Sequence, residues 1–542
     1  MRRPSTNWAM TASMANLLMV PLLPVQASVG NPGLLPSPPM GFNNWARFEC
    51  ELNETLFTET AQSMVSRGLL DAGYNRLNLD DCWMSTARSD NGSLQWNTTK
   101  FPNGIPWLAN YAQERGFHLG IYEDAGNETC GGYPGSFQHE EQDAETFASW
   151  GIDYLKLDGC NVYAEDGKPL RDEYKSIYSK WHKILSGMSE PLIFSESAPA
   201  YFCTSETEWA RVMDWVPFNG ELARHSDDVL VYVGEGSAWD SIMVNYEYQI
   251  QLVRYQQPGY YNDPDFLIPD HSGLTEDEKK SHFALWASFG APLIISAYIP
   301  ALPEEVITFL KNKDLIAVDQ DPLAEQAALV TRGANFDVLT RSLANGDRLL
   351  TVLNRGNNTE KITIPVSQLG LDSSCQYRAR DLWTGTVKTI HGSVEVTLDS
   401  HATSVHRITP PRGCTKTTPT GMIFNTASEK CLTASSSTVT FKACDAADSQ
   451  VWSVSGSGSQ LTLSPLSDTA KCLAAKDGSI SLMACKAGSG TSWSHFITGH
   501  LKSAGGDCLI DSSGASLEKC DQSVAGQMMG LPSGVKLVAG TD

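Results

Sequence analysis

Short apolar runs that end in polar or aromatic residues recur along the first 300 positions, and longer helix-like stretches such as Thr58–Ala72 separate them. The runs are Met40-Gly41-Phe42-Asn43-Asn44-Trp45, Tyr74–Trp83, Phe117–Asp124, Asp153–Cys160, Pro191–Ser197, Asn262–Asp265 and Ala291–Ser296. Strands that alternate with helices argue a parallel sheet, and six or more such units over roughly 280 residues argue a TIM barrel. The run Asp153-Tyr154-Leu155-Lys156-Leu157-Asp158-Gly159-Cys160 is the most informative. Side chains two apart in a strand share a face, so Lys156 and Asp158 point together at the strand's end. A barrel enzyme keeps its chemistry there. Taken alone, the pair also fits a salt bridge on an edge strand.

The 542 residues accommodate two to four domains. Arg2 and Arg3 precede an apolar stretch from Met14 to Leu23, and Val25-Gln26-Ala27 offers a small-residue cleavage site; residues 1–27 read as a secretory signal peptide. The stretch is too short, and too interrupted by Pro21 and Pro24, for a membrane anchor. Sequons begin at Asn53, Asn91, Asn97, Asn127 and Asn357, as in a secreted, extracellular glycoprotein. A net charge of −22 argues against nucleic acid as a partner. Thirteen cysteines in such a chain imply disulfides and at least one thiol left over. Tight Cys-x₂-Cys spacings are absent, which disfavours zinc.

Beyond about Leu323 the pattern turns to alternation. Asp337–Leu343 and Arg348–Asn354 flank Asn345-Gly346-Asp347, a hairpin signal. Residues 319–410 read as a small antiparallel β-sandwich, and 411–420 as a Pro/Thr-rich linker. Three units at a spacing near 40 residues follow, each opening with Cys-Leu, at Cys431, Cys472 and Cys508. They resemble a ricin-type β-trefoil lectin over 421–542. In that likeness Cys431–Cys444, Cys472–Cys485 and Cys508–Cys520 staple one lobe each. Gln450-Val451-Trp452 keeps a full Gln-x-Trp signature, whereas the other units have lost part of it.

The ordered motifs Met40-Gly41…Trp45, Leu79-Asp80-Asp81-Cys82-Trp83, Gly120-Ile121-Tyr122, Lys156-Leu157-Asp158-Gly159-Cys160 and Asn262-Asp263-Pro264-Asp265 resemble glycoside hydrolase family 27 over about residues 36–410. That family holds retaining α-galactosidases and α-N-acetylgalactosaminidases, and the likeness is greatest to fungal secreted members with an added lectin module. It implies an α/β fold: a (β/α)8 TIM barrel over 28–318, then the sandwich, then the trefoil. It also implies disulfides Cys50–Cys82 and Cys130–Cys160, and no metal or organic cofactor. By resemblance Asp158 is the nucleophile, and the neighbouring Lys156 keeps it ionised and also reaches sugar hydroxyls. In Arg224-His225-Ser226-Asp227-Asp228 the family spacing selects Asp228 as acid/base, with Asp227 its competitor. A proton donor of this kind calls for a raised pKa.

The resemblance also makes Asp80 and Asp81 acceptors for sugar hydroxyls, Trp45 and Tyr122 pocket walls, Arg224 a contact to the 2-position substituent, and Tyr201 and Asp265 pocket positions. In Ser197-Ala198-Pro199-Ala200-Tyr201, Ser197 and Ala200 match the small-residue loop of the N-acetylgalactosaminidases, while a shift of one would put Glu196 in that place. The substrates implied are α-galactoside or α-N-acetylgalactosaminide oligosaccharides and polysaccharides. A strict α-galactosidase and an inactive galactose-binding glycoprotein are the alternatives, and assembly into a homo-oligomer stays open.

Overall fold

The computed structural model describes residues 30–164, 167–485 and 490–538; the signal-peptide reading of 1–27 lies outside them. Eight parallel strands form one sheet: β1 (Met40–Asn43), β2 (Arg76–Asn78), β3 (His118–Asp124), β4 (Tyr154–Asp158), β5 (Ile193–Glu196), β6 (Leu222–Arg224), β7 (Tyr261–Asp263) and β8 (Leu293–Ile295). Neighbours pair in chain order, and β8 returns to β1. The segment after β7 closes the cylinder: Leu267 bridges Ile295 in parallel, and Ser296 N donates to the Leu267 carbonyl at 2.8 Å.

Local chemistry sets the helices between the strands. Asn53 Oδ1 accepts the Leu56 amide at 2.9 Å, so α1 runs Glu54–Ser66, a turn earlier than the apolar spacing suggests. The helix α2 (Glu276–Phe289) opens on a capping box between Thr275 and Glu278. It ends at Gly290, whose φ of +64° suits glycine and turns the chain into β8. The strand β6 was not among the sequence runs: Leu222 and Ala223, set between Glu221 and Arg224, make no apolar run.

Register decides which side chains face the barrel axis. On β4, Tyr154, Lys156 and Asp158 point inward, while Leu155 and Leu157 join the apolar layer under the helices. Lys156 pairs with Ser195 and Leu157 with Glu196. Paired residues of parallel strands share a face, so Glu196 points outward, away from the barrel mouth.

Eight antiparallel strands between Ala328 and Thr409 form the second domain around Val338, Leu350, Ile362 and Tyr377. The expected hairpin is present, with Asp337 to Ser342 paired against Leu353 to Arg348. The connector 411–420 is anchored, because Cys414 is bonded to Cys375 and Thr418 N donates to the Gly370 carbonyl at 3.1 Å. The tail repeats a hairpin three times: Cys431–Ser435 with Thr438–Lys442, Lys471–Lys476 with Ser479–Ala484, and Asp507–Asp511 with Ala515–Lys519. Met422, Phe424, Cys431 and Ile497 of this lobe join the barrel's apolar cluster.

Both barrel disulfides and all three lobe disulfides form as the resemblance implied, and Cys203 is the free, buried thiol. The sequon asparagines Asn53, Asn91, Asn127 and Asn357 are exposed, and Asn97 is half-buried. Among the described residues, no helix is long and apolar enough to cross a membrane.

Candidate active site

The C-terminal ends of the strands bring the sequence-selected residues to one mouth. Asp80 and Asp81 lie just past the end of β2, where the pleat no longer forces neighbours apart. Asp80 Oδ2 accepts bonds from Lys156 Nζ at 2.7 Å and Asn43 Nδ2 at 2.8 Å. Asp81 Oδ2 accepts the Gly131 amide at 2.7 Å. Lys156 lies 5.2 Å from the centroid of the Tyr122 ring, whose hydroxyl donates to Cys130 Sγ at 3.2 Å. The direct ionic partner of Lys156 is therefore Asp80, and its effect on Asp158 acts through space. Burial works to lower the Lys156 pKa, but Asp80, Asp158 and Asp228 outweigh it and hold the ammonium charged.

Asp158 is held by the loop after β5. Tyr201 O–H donates to its Oδ1, and the Gly159 amide donates to the same oxygen at 3.0 Å. Cys130 Sγ of the Cys130–Cys160 disulfide lies 3.6 Å from Oδ2. The nucleophile candidate thus has a fixed orientation and stays partly open to solvent.

The segment after β6 separates the two acid candidates. Asp228 Oδ2 accepts Trp45 Nε1 at 3.2 Å and its Oδ1 accepts Arg224 Nη2 at 3.0 Å. Asp227 turns the other way, with Oδ1 3.5 Å from Cys203 Sγ. The sequence argument called for a raised pKa on Asp228. In this site burial does push it up, but Arg224 and Lys156 outweigh burial and hold it below the usual carboxylate range.

Ser197 and Ala200 lie in the 3₁₀ loop that follows β5. Ser197 is buried and its hydroxyl has no hydrogen-bond partner, although its amide donates to the Leu157 carbonyl at 3.1 Å. Glu196, the alternative reader of the sugar's 2-position, is buried on the outer face of β5 beside Gly220, with neither oxygen bonded. Asp265 departs from the expected pocket position. It is only 2% exposed, behind Arg224, and its oxygens face Arg224 Nη1 at 2.8 Å and the Val229 amide at 2.7 Å.

One acid was missed. Asp124, fully buried, pairs across the sheet with Asp158 and shares its face. It accepts the amides of Gly126 at 2.7 Å and Cys160 at 2.8 Å. Burial, then the charge on Asp158, lifts its pKa to about 7. Its place two residues after Tyr122 was the available signal. The sulfurs of Cys130 and Cys160 come close to Asp124 and Asp158, as metal ligands would, but they are joined in a disulfide and offer no thiolate.

One carboxylate at the end of β4 and another after β6, at the C-terminal end of the barrel, are what a glycoside hydrolase requires. The chain belongs to the alpha-galactosidase A family, whose model matches residues 37–321. Models for an alpha-galactosidase C-terminal β-sandwich domain and a ricin-type β-trefoil lectin domain match 333–408 and 419–528. It is 61% identical to alpha-galactosidase A of Aspergillus niger over 95% of both chains. It is 36% identical to an alpha-galactosidase of Cyamopsis tetragonoloba over 70% of this chain and 87% of that one. The crystal structure of alpha-galactosidase I from Mortierella vinacea superposes with a TM-score of 0.62 at 26% identity, covering 70% of this chain and 98% of the other.

Proposed function

We propose that this protein is a secreted retaining exo-α-galactosidase that removes terminal α-galactosyl groups from oligosaccharides and polysaccharides. The observation that carries the reading is the pair of separately held carboxylates, Asp158 oriented by Tyr201 and Gly159, and Asp228 oriented by Trp45 and Arg224. Asp158 attacks the anomeric carbon as the glycosidic bond breaks, and the departing oxygen takes the proton of Asp228. The Asp228 carboxylate then draws a proton from water as that water's oxygen displaces Asp158 and releases the sugar. Asp80 and Asp81 serve as acceptors for sugar hydroxyls, with Trp45 as a wall. The six disulfides and the exposed sequons support an oxidising, extracellular setting and glycosylation.

Asp228→Ala tests the pair. The loss should be greatest with poor leaving groups, which depend on protonation, and added azide should restore part of the rate. If Asp227→Ala behaves this way and Asp228→Ala does not, the acid is misassigned.

A second reading extends specificity to α-N-acetylgalactosaminyl groups. The unpartnered Ser197 hydroxyl supports it, since an acetamido group would give that hydroxyl a partner. Ser197→Glu with Ala200→Leu should fill the space and shift the ratio of kcat/KM values towards galactose. A wild-type enzyme inert towards the N-acetyl substrate would leave a strict α-galactosidase.

A further inference from the structure

Two cations, Lys156 and Arg224, stand among the carboxylates of Asp80, Asp158, Asp228, Asp263 and Asp265. Lys156 is taken by Asp80. Arg224 is divided. Its Nη2 donates to Asp228 at 3.0 Å and to the Ser226 carbonyl at 2.8 Å, and its Nη1 lies 2.8 Å from Asp265 Oδ1. The other Asp265 oxygen accepts the amide of Val229, the residue directly after Asp228. One buried side chain therefore holds both the arginine and the backbone of the acid's loop.

The chain is distorted to put it there. Asp265 has φ +81°, in the left-handed region that non-glycine residues rarely occupy. Asp263 Oδ1 accepts its amide at 2.9 Å, and Trp286 Nε1 donates to its carbonyl at 2.7 Å, which fixes the conformation from two sides. Strain that the surroundings over-determine is a mark of functional placement.

We propose that Asp265 is a positioning residue that shares one arginine and one proton with Asp228, and so keeps a proton available to the acid. The inference rests on the reading of Asp228 as acid/base. With both carboxylates ionised, one guanidinium faces two negative charges, and such a pair takes up a proton as a unit. The groups that face Asp228 are Arg224 on β6, Lys156 on β4 and Trp45 after β1; those that face Asp265 are Arg224, Asp228 and Asp263. In the open site the proton rests on Asp265, lifted to about 7 by burial, with Arg224 opposing and Asp228 and Asp263 adding. The Asp228 side chain is 52% exposed. A sugar seated over it removes that solvent and adds to the push that burial already exerts, which favours the proton on Asp228. Asp265, relieved of it, becomes the full partner of Arg224.

Asp265→Asn tests this in the full chain. Asparagine tolerates positive φ and matches aspartate in size, so the fold should hold. Arg224 would then belong to Asp228 alone. The basic limb of kcat/KM against pH should move down by at least about one unit, because the variant cannot hold the shared proton and leaves Asp228 with the arginine undivided. The loss should be larger for an alkyl α-galactoside than for a nitrophenyl one. Asp263→Asn, milder because Asp263 acts on Arg224 only through space, should move the limb the same way by less. A uniform loss at every pH, with the limb unmoved in both variants, overturns the proposal. If Asp228→Ala retains the wild-type limb and leaving-group response, the acid assignment itself falls, and this inference with it.

Discussion

Trp45 and Trp452 make the same kind of bond in two regions of the molecule, to opposite ends. At the barrel mouth Trp45 Nε1 donates to the carboxylate of Asp228 at 3.2 Å, beside open space. In the trefoil the fully buried Trp452 donates to the Leu432 carbonyl at 2.8 Å. The contrast is general. At the mouth, the signature side chains bond one another, as Lys156 does Asp80 and Arg224 does Asp228, and Asp228 stays open to solvent. In the trefoil, the signature residues satisfy backbone. Gln450 accepts the Asp445 amide at 2.8 Å and donates to the Ala443 carbonyl at 2.9 Å. Gln527 does the same with Asp521 and Lys519, and Trp493 repeats the Trp452 bond to Leu473. The Gln-x-Trp signature is framework, so its erosion in units two and three changes packing and is silent about sugar. Substitutions at the mouth should cost turnover, and those in the trefoil should cost stability.

The largest effect expected at the mouth is that of Asp158→Asn. Without a carboxylate no glycosyl-enzyme ester can form, and turnover should fall by several orders of magnitude. The melting temperature should stay near wild type, because the amide keeps the shape and one acceptor for Tyr201 and Gly159. Near-normal turnover in the folded variant would remove Asp158 from the mechanism.

Trp452→Ala is the counterpart in the trefoil. Emptying a buried tryptophan site costs about 3–5 kcal/mol. Calorimetry should show that loss, while kcat on a small aryl galactoside, per folded molecule, stays unchanged. A drop in kcat without loss of stability would erase the division between the two regions.

Tyr201→Phe sharpens the comparison from the barrel side. The hydroxyl donates to a carboxylate, and such bonds contribute about 1.5–3 kcal/mol. Loss of its orientation should lower kcat roughly 10- to 100-fold with KM little changed. A change in KM alone would make Tyr201 a sugar contact and not a support for Asp158.

The division also explains what could be read from sequence. Strands β1–β5, β7 and β8 were legible because polar residues end apolar runs, and those residues are the site. The strand β6 was not, since only Leu222 and Ala223 stand between the charged Glu221 and Arg224 and make no apolar run. Asp158, Lys156 and Asp228 stand out in the sequence as candidates, by residue type and motif spacing. The partners they hold were not: which carboxylate takes Lys156, and that Asp265 stands behind Arg224, are facts of register and of one residue with positive φ. Glu196 is the clearest case. The residues alone leave it competing with Ser197, and its pairing with Leu157 puts it on the outer face of the sheet, a placement only register reveals.

Glu196 also carries the last prediction, the smallest in any one step. It is fully buried with neither oxygen bonded, and burial, then Glu221, lifts its pKa well above the ordinary value. Glu221 and Asp124 of the same barrel are each raised to about 7. A carboxyl raised on folding keeps a proton in the native state that the unfolded chain has released. Its stabilisation is fully present below the unfolded pKa near 4, and is lost as pH climbs through the folded value. The trefoil offers the opposite sign: burial depresses His495 to about 3, so its contribution is present near neutral pH and is lost as acid protonates the unfolded imidazole. Barrel stability should therefore fall between about pH 4 and pH 7, each such proton adding about 1.4 kcal/mol per pH unit to the slope. Glu196→Gln removes one of these protons and keeps the shape, so its melting temperature should fall less steeply than wild type over the same range. Parallel curves would mean that Glu196 releases no proton on unfolding, and that the barrel owes its pH response to other groups.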